Sequence, residues 1–235
     1  HIHQKNRRKS GEIVQLLKQL NGHIWKHGDI KVLIILRNQP DWLCSLYAQR
    51  SDKFDGASQK DFEQQISRLI ARRDDYIDWS IWVDKLQDAL GSENVCTLLM
   101  EDMKNTEFWK KLHNFLELEN FDPASYAVGS IAQHNVGRFK NNAWKLRPIS
   151  GARTVKFIRK YCHHRHMRYF RRIGCGLSRR LSEYLTRYVL LKDTYIECTP
   201  EVKEAVLQYC SPFNQRLAQQ LKRETRELSD MGYLL

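Results

Sequence analysis

The sequence predicts an α/β fold, a three-layer arrangement in which helices flank a parallel sheet, followed by a helical C-terminal half. Two continuous apolar runs, at 31–36 and 94–100, support this prediction. Neither run alternates polar with apolar residues, which is typical of strands that are buried on both faces. Three stretches with helical periodicity separate the two runs, and this order favours a parallel sheet. A chain of 235 residues can bury a substantial core, and we expect a single domain over 1–235.

The predicted helices follow from apolar residues that recur every three or four positions. Ser10 is a suitable N-cap for the first of them, and Gly91 ends the fourth. Pro200 and Pro212 are expected to open the last two helices. The segment 129–148 is polar and lacks periodicity, so we expect a loop there. In chain order, helices are predicted at 12–20, 40–52, 58–73, 76–90, 106–116, 154–173, 201–210 and 213–226.

The number of visible strands is small for such a sheet. The run 195–198 predicts a weak third strand, whereas sheets usually have about four to six strands. Either some strands are not recognisable in the sequence, or the first strands precede residue 1. The start at His1-Ile2-His3, without an initiator Met or a signal-peptide pattern, favours the second explanation.

The excess positive charge lies in one segment. The net charge is +12, and residues 136–188 contain 15 Lys and Arg but one acidic residue, Glu183. The rest of the chain is close to neutral. This asymmetry indicates an anionic partner, such as a nucleotide phosphate, a sulfated or carboxylated glycan, a nucleic acid or an acidic lipid. The alternative is a solvated basic helix without a partner.

Cysteine usage and hydropathy bear on the compartment. The six cysteines are irregularly spaced and form no C-x-x-C pair, so we expect reduced thiols in a cytoplasmic, reducing compartment. Cys162 and His166 have the helical spacing of metal ligands, but we favour a basic helix face there and expect no metal. No apolar run approaches the roughly 18 residues that a membrane span needs.

The most informative segment follows the first predicted strand. Ligands of open α/β sheets bind beyond the carboxyl ends of the strands, where Arg37 lies. The helix that begins at Pro40 offers free backbone N–H groups to an anion, and Ser45 lies about one and a half turns into it. A guanidinium and a hydroxyl together suit a phosphate monoester. The alternatives are a salt bridge from Arg37 to Glu101 or Asp102, and an ordinary helix position for Ser45.

Arg37 and Ser45, eight positions apart after a buried strand, resemble the 3′-phosphate-binding element of sulfotransferases that use 3′-phosphoadenosine 5′-phosphosulfate. The segment Leu-Arg-Asn-Gln-Pro-Asp-Trp-Leu-Cys-Ser-Leu-Tyr-Ala-Gln is most similar to the bacterial branch of that family. The stretch 82–103, which ends near an acidic pair, and the "FL" helix end at 115–116 also resemble the family. So do 214–218 and the terminal Gly-Tyr at 232–233. The resemblance covers about 28–120 and 200–235.

The resemblance implies a P-loop nucleotide-binding-like fold and direct transfer of a sulfuryl group to a hydroxyl or amine acceptor, for example a glycan, without a metal. It implies that Arg37 and Ser45 bind the 3′-phosphate of the nucleotide co-substrate. Arg138 and Lys140 lie where relatives have a late basic segment that adds a contact to the same phosphate. The basic helix 154–173 would then face an anionic acceptor or a membrane surface, and no specific nucleic acid is expected.

Two parts of the family pattern are not found in the sequence. The family's first strand and 5′-phosphosulfate-binding loop have no counterpart in 1–30. His1 and His3 fall where the family has its catalytic base, but no strand precedes them, so we assign no catalytic residue. We therefore expect an N-terminally truncated domain that is inactive on its own.

Two other function classes compete with this interpretation. A nucleotide kinase of related fold would share the strand–helix phosphate site but needs a G-x-x-x-x-G-K-[ST] loop. A non-enzymatic binder of nucleic acid or heparin-like polyanions would use the basic stretch 138–187 and would bind with steep salt dependence. Selectivity for a 3′-phosphate would distinguish the sulfotransferase from both.

Overall fold

A computed structural model of the chain describes residues 12–21, 30–54, 57–73, 75–119, 122, 139–140, 143–147 and 195–235. The predicted basic helix 154–173 and Arg138 lie outside these residues. The chain divides into two compact units. The first comprises His1–Gln39, Ile70–His134 and Glu204–Leu235, and the second Pro40–Leu69 and Asn135–Lys203.

The described elements follow the predicted alternation of strands and helices. The helices are α1 (12–21), α2 (Gln39–Arg50), α3 (Gln59–Ala71), α4 (Trp79–Leu90), α5 (Thr106–Leu116), α6 (Pro200–Leu221) and α7 (Thr225–Asp230). The strands are β1 (Val32–Leu36), β2 (Val95–Leu99), β3 (Phe139–Lys140), β4 (Ala143–Lys145) and β5 (Tyr195–Glu197). Among these helices, none is both long and apolar enough to cross a membrane.

The first unit contains a two-stranded parallel sheet. β1 and β2 pair in register from Val32 opposite Val95 to Leu36 opposite Leu99. Every residue of β2 is buried, as the sequence predicts, but β1 is only partly buried and Ile35 is 49% exposed. The expectation that β1 is buried on both faces is therefore wrong. The described strands cover β1 along one edge only, and an apolar sequence does not by itself determine how many neighbours a strand has.

Helices pack against this sheet through two separate hydrophobic clusters. Leu86 and Leu90 of α4 form one cluster with Val95, and Val14 and Leu17 of α1 pack against it. The other cluster joins α5 to the alternate residues of β2 and consists of Cys96, Leu98, Phe108 and Trp109. Because successive side chains of a strand point to opposite faces, the two clusters lie on opposite sides of the sheet. The fold is thus mixed α/β, mostly helical, with a small parallel sheet.

The ends of α4 show how local chemistry determines its bounds. The side chain of Asp78 accepts a hydrogen bond from the backbone N–H of Ile81 at 3.1 Å, so the helix begins after Asp78 and not at Tyr76. At the other end, Gly91 has a φ of 89° and donates its N–H to the carbonyl of Gln87 at 2.8 Å. A positive φ favours glycine, which confirms the predicted helix end.

The C-terminal helices differ from the prediction at Pro212. We expected this proline to open a new helix, but α6 runs without interruption through it from Pro200 to Leu221. The buried residues of α6 lie on both sides of the proline and include Val206, Cys210, Asn214 and Leu217. Burial of this continuous face outweighs the local preference of proline for a helix start.

Replacing Pro212 by alanine should raise the free energy of unfolding by about 1 kcal/mol, because a proline inside a helix removes one hydrogen bond and clashes with a carbonyl one turn earlier. Urea denaturation followed by circular dichroism measures the change. Gln208→Ala, at an exposed position one turn earlier in α6, is the control and should change the free energy by much less. A lower stability for Pro212→Ala would contradict this account of the helix.

The second unit contains a small antiparallel sheet in the order β3-β4-β5. β3 and β4 lie inside 129–148, so the prediction of a loop there is wrong for these residues. β4 is stabilised by pairing with β5 and β3 by pairing with β4, and no local pattern reveals these pairings. The predicted third strand is confirmed as β5, but it pairs with β4 and does not extend the parallel sheet. Elsewhere in this unit, the ring of Tyr47 contacts Phe54 and Phe62.

Candidate functional site

The carboxyl ends of β1 and β2 form one edge of the parallel sheet. Arg37 directly follows β1 and is half-buried, and Glu101 lies two residues after β2. Because Leu36 is paired with Leu99, the segments that leave both strands emerge side by side. This edge is where open α/β sheets bind ligands.

Glu101 ties the segment after β1 to the C-terminal end of the chain. One carboxylate oxygen, Oε1, accepts the backbone N–H of Asn38 at 2.9 Å and its side-chain Nδ2 at 3.0 Å. The other oxygen, Oε2, accepts the hydroxyl of Tyr233 at 2.9 Å. Asn38 Nδ2 also lies 3.4 Å from the carbonyl of Met231. The carboxylate thus has hydrogen-bond donors on both oxygens, which offsets its desolvation.

A buried pair of amides holds the next residue. Gln39 and Asn214 are both 0% exposed and exchange two side-chain hydrogen bonds, of 2.7 and 3.0 Å. Asn214 also donates to the carbonyl of Tyr233 at 2.6 Å, and Gln39 to the carbonyl of Ile77 at 3.3 Å. Together with Asn38 and Glu101, these residues form what we call the amide–carboxylate network. It connects the start of α2 to α6 and to the C-terminus.

The backbone of Arg37 itself is also held. Trp79, the first residue of α4, donates its indole N–H to the carbonyl of Arg37 at 3.0 Å. The bond is made by the main chain of Arg37 and not by its guanidinium. The segment 37–39 is therefore held by hydrogen bonds to its backbone at Arg37 and Asn38 and by hydrogen bonds of the side chains of Asn38 and Gln39.

Tyr233 is a hydrogen-bond donor over the whole physiological range of pH. Burial raises the pKa of its phenol, and the negative charge and hydrogen bond of Glu101 raise it further, while the positive charge of Arg37 lowers it. The net effect is a large increase in the pKa of Tyr233.

The neighbouring carboxylate, Asp102, has a different partner. Arg223 Nη2 lies 2.5 Å from Asp102 Oδ2, and the Asp102 side chain is 5% exposed. Asn105 Nδ2 donates to the other oxygen at 3.2 Å. The sequence left open a salt bridge between Arg37 and one of these two acids. In the structure Arg223 forms an ion pair with Asp102, while Asn38 and Tyr233 donate hydrogen bonds to Glu101.

Replacing Arg223 by alanine should lower the free energy of unfolding by about 2 kcal/mol, since it leaves the buried carboxylate of Asp102 without its cation. The loss is smaller than for a fully buried pair because Arg223 is partly exposed. Urea denaturation measures it. Arg226→Ala, at an exposed position of α7, removes the same charge and should have little effect. Equal effects of the two substitutions would refute the special role of the Asp102 pair.

A cleft with a volume of about 920 Å³ lies beside the end of β2. Leu98 and Phe108 line its apolar part, and the Asp102–Arg223 pair forms part of its polar wall. Its lysines and acids are mixed, with Lys110 already bound to Glu107 at 2.8 Å. Arg37 is not among its described lining residues, so this cleft is distinct from the predicted phosphate position.

Of the remaining predicted site residues, Ser45 and Lys140 lie in the second unit. Ser45 is in the second turn of α2, is 9% exposed, and its Oγ accepts a hydrogen bond from Gln49 Nε2 at 3.4 Å. The hydroxyl proton of Ser45 therefore remains able to serve as a donor elsewhere. Lys140 ends β3, where it pairs with Ala143, and Arg138 lies outside the described residues. Arg37 belongs to the first unit, so the grouping of these four residues stays a prediction.

Sequence reasoning did not assign a role to the amide–carboxylate network. Its members lie within the motifs that resemble sulfotransferases, but Gln39 and Asn214 are 175 positions apart. An isolated Gln or Asn in a helical pattern predicts an exposed position. Both residues are buried here because their side chains hydrogen-bond to each other in the folded chain. Among the described residues, no group of three or more His, Cys, Asp or Glu residues could hold a metal ion.

Comparison with known proteins gives no match, neither among protein-family models nor among curated proteins nor among solved structures. The resemblance to sulfotransferases therefore rests on the motifs of the sequence alone. The structure adds the local geometry of those motifs.

Proposed function

We propose that the protein is a sulfotransferase that binds 3′-phosphoadenosine 5′-phosphosulfate and transfers its sulfuryl group to a hydroxyl or amine acceptor. The observation that supports this most is the position of Arg37. It lies between the end of a parallel strand and the start of α2 at Gln39, where an anion can meet both a guanidinium and the N-terminus of a helix. Arg37 is assigned to the 3′-phosphate, as in the family that its motif resembles.

The amide–carboxylate network supports this assignment physically. Binding a phosphate is strongest when its donors are held in place before the ligand arrives, because little ordering is then needed on binding. Asn38 and Gln39 are held by partners from four other segments, and Trp79 holds the carbonyl of Arg37. The backbone that carries the first turn of α2 and the side chain of Arg37 is therefore held in place before a ligand binds.

Ser45, Arg138 and Lys140 are proposed as additional donors to the same nucleotide. Ser45 would donate its hydroxyl proton, which its contact with Gln49 does not use. Arg138 and Lys140 would add charge from the basic stretch. Because that stretch is basic, the acceptor class that we prefer is an anionic one, such as a glycan. The second choice is that the protein is cytoplasmic and uses this stretch to contact an acidic membrane surface.

The proposed reaction breaks the bond between sulfur and the bridging oxygen of the nucleotide and forms a bond between sulfur and the acceptor. The acceptor gives up its proton to a base, and cationic groups stabilise the charge that develops on the bridging oxygen. We assign no residue of this chain to the base.

Calorimetric titration of the chain with adenosine 3′,5′-bisphosphate, with ADP and with 5′-AMP tests the proposal. The bisphosphate should bind at least about tenfold more tightly than ADP, because only it presents a 3′-phosphate to Arg37. Titration at two salt concentrations adds a second criterion. If Arg37 hydrogen-bonds the 3′-phosphate, the ratio of the affinities for the bisphosphate and for ADP should stay the same as the salt concentration increases.

The other outcomes point to the competing functions. Preference for ADP would favour a nucleotide kinase. Equal affinity for all polyanions, falling steeply with salt and shared by heparin, would favour a polyanion binder. Absence of binding by a folded chain would count against the nucleotide site as proposed.

A further inference from the structure

The cleft beside the end of β2 is not explained by the proposed nucleotide site, because Arg37 is not among its described lining residues. One wall combines the end of β2 with one side of α5, and another combines the end of α6 with α7. All of the described lining residues belong to the first unit. The volume of about 920 Å³ is within the range of small-molecule pockets, so the cleft can hold a ligand.

Polar contacts hold the walls of the cleft together. Arg223 forms ion pairs with Asp102, which follows β2, at 2.5 Å and with Glu227 of α7 at 3.6 Å. The end of α6 is closed by the backbone N–H groups of Lys222 and Arg223, which donate to carbonyls three and five positions earlier at 3.1 and 3.0 Å. These two bonds are those of a Schellman motif, with Lys222 in the left-handed conformation at a φ of 53°. The cleft is therefore formed before a ligand binds.

Both walls contribute apolar side chains to the cleft. Leu98 of β2 and Phe108 of α5 come from one wall, and both are anchored in the hydrophobic cluster between the sheet and α5. Leu221, the last residue of α6, and Met231, which follows α7, come from the other wall and are partly exposed. A ligand with an apolar body would bury these surfaces, and that burial is favourable.

The charged residues of the cleft leave an excess of positive charge. The ion pairs already described use two of the four cations and three of the four acids in the described lining. The remaining charged residues are Lys111, Lys222 and Asp230. The ammonium of Lys111 donates to the carbonyl of Thr97 at 3.2 Å, and the ammonium of Lys222 has no acidic partner among the described residues. Two positive charges and one negative charge thus remain to meet a ligand, which favours an anion.

We propose that this cleft binds a small organic anion that has an apolar body and one acidic group, such as a carboxylate or a sulfonate. The acidic group contacts the ammonium groups of Lys111 and Lys222, and the apolar body packs against Leu98, Phe108 and Met231. The inference rests on the lining of the cleft, and it does not depend on the proposed sulfotransferase activity.

Calorimetric titration of the whole chain with naphthalene-2-sulfonate tests the proposal. This probe combines an apolar body with one negative charge, and it should bind with a Kd below about 1 mM. Naphthalene-2-sulfonamide has the same body without the charge, and methanesulfonate has the charge without the body. Each of these two probes should bind at least about fivefold more weakly. Added salt should weaken the binding of the sulfonate more than that of the sulfonamide, because only the sulfonate contacts charged groups.

Lys222→Gly locates the probe without endangering the fold. The substitution removes the ammonium, while glycine is the residue best suited to the positive φ of this position. The Tm should therefore stay the same or increase, and the affinity for naphthalene-2-sulfonate should fall by about three- to tenfold. Lys111→Ala should weaken the sulfonate by a similar factor. Lys203→Ala, at an exposed position near the other end of α6, removes the same charge and should change the affinity by less than about twofold.

Competition separates this cleft from the proposed nucleotide site. Adenosine 3′,5′-bisphosphate should not displace naphthalene-2-sulfonate, and Arg37→Ala should leave the affinity for the sulfonate unchanged, because Arg37 is not among the described lining residues. Displacement by the bisphosphate would overturn the assignment of the anion to this cleft. So would equal affinities for the sulfonate and the sulfonamide, an unchanged affinity in Lys222→Gly, or no binding of the sulfonate to the folded chain.

Discussion

Replacing Arg37 by alanine should weaken the binding of adenosine 3′,5′-bisphosphate by about 30- to 150-fold, the equivalent of a charge-assisted contact of roughly 2–3 kcal/mol. Binding of ADP should change by less than about twofold, since ADP has no 3′-phosphate for this guanidinium to contact. Calorimetric titration of both ligands measures the two changes. The chain should still fold, because the main chain of Arg37 keeps its bond to Trp79 and its neighbours keep their partners.

Arg50→Ala is the matched control for this prediction. Arg50 is the last residue of α2, so the substitution removes the same charge from the helix that follows Arg37 but at its far end. It should leave the preference for the bisphosphate intact. Parallel losses in the Arg37 and Arg50 variants would show that only general positive charge matters and would remove the basis for the 3′-phosphate site.

Replacing Asn214 by alanine should lower the free energy of unfolding by about 3 kcal/mol, because it removes the donor to the buried side-chain oxygen of Gln39 and to the carbonyl of Tyr233 and leaves Gln39 Nε2 with the carbonyl of Ile77 as its acceptor. Both amides are 0% exposed, so water cannot easily replace the lost bonds. In thermal unfolding, such a loss corresponds to a lower Tm by about 6–12 °C for a chain of this size.

Two further variants show whether the pair is responsible. Asn114→Ala, at an exposed position of α5, deletes the same side chain and should leave Tm nearly unchanged. Gln39→Leu combined with Asn214→Leu removes both polar partners, and its cost should be smaller than the sum of the two single changes by at least about 1 kcal/mol. Additive effects would mean that the two amides do not depend on each other.

Local pattern predicted several elements well. The helix expected at 106–116 is α5, and the strand expected at 94–100 is β2 with its ends shortened by one residue. The apolar periodicity of α5 matches its buried face, and the uninterrupted apolar run of β2 matches burial of the whole strand, so local preference and tertiary burial agree in both. The helix end at Gly91 was predictable for the same reason, because the positive φ there suits glycine.

The errors lie where distant contacts outweigh local preference. Pro212 reads as a helix start, but the buried face of α6 continues through it. The segment 129–148 lacks periodicity, yet Trp144 opposes Ile196 of β5, and that pairing places a strand there. Ile35 reads as buried, although its exposure depends on how many strands and helices surround β1.

The candidate site shows the same division. The position of Arg37 after a parallel strand followed from the sequence, since β1 and α2 are adjacent in the chain. The bonds from Asn38 and Tyr233 to Glu101 span 63 and 132 positions. No short-range signal specifies such pairs, because a Glu, an Asn and a Tyr each have many favourable partners until the fold selects one.

The sequence by itself determined the alternation of strands and helices from β1 to α5, the place of Arg37 after β1 and of Ser45 in α2, and the concentration of positive charge in one stretch. These follow from side-chain periodicity and from residues close together in the chain. Tertiary structure alone decided that Gln39 meets Asn214, that Asp102 binds Arg223, and that Tyr233 binds Glu101. Each of these contacts joins groups whose burial is favourable only when the partner is present, and that condition exists only in the folded chain.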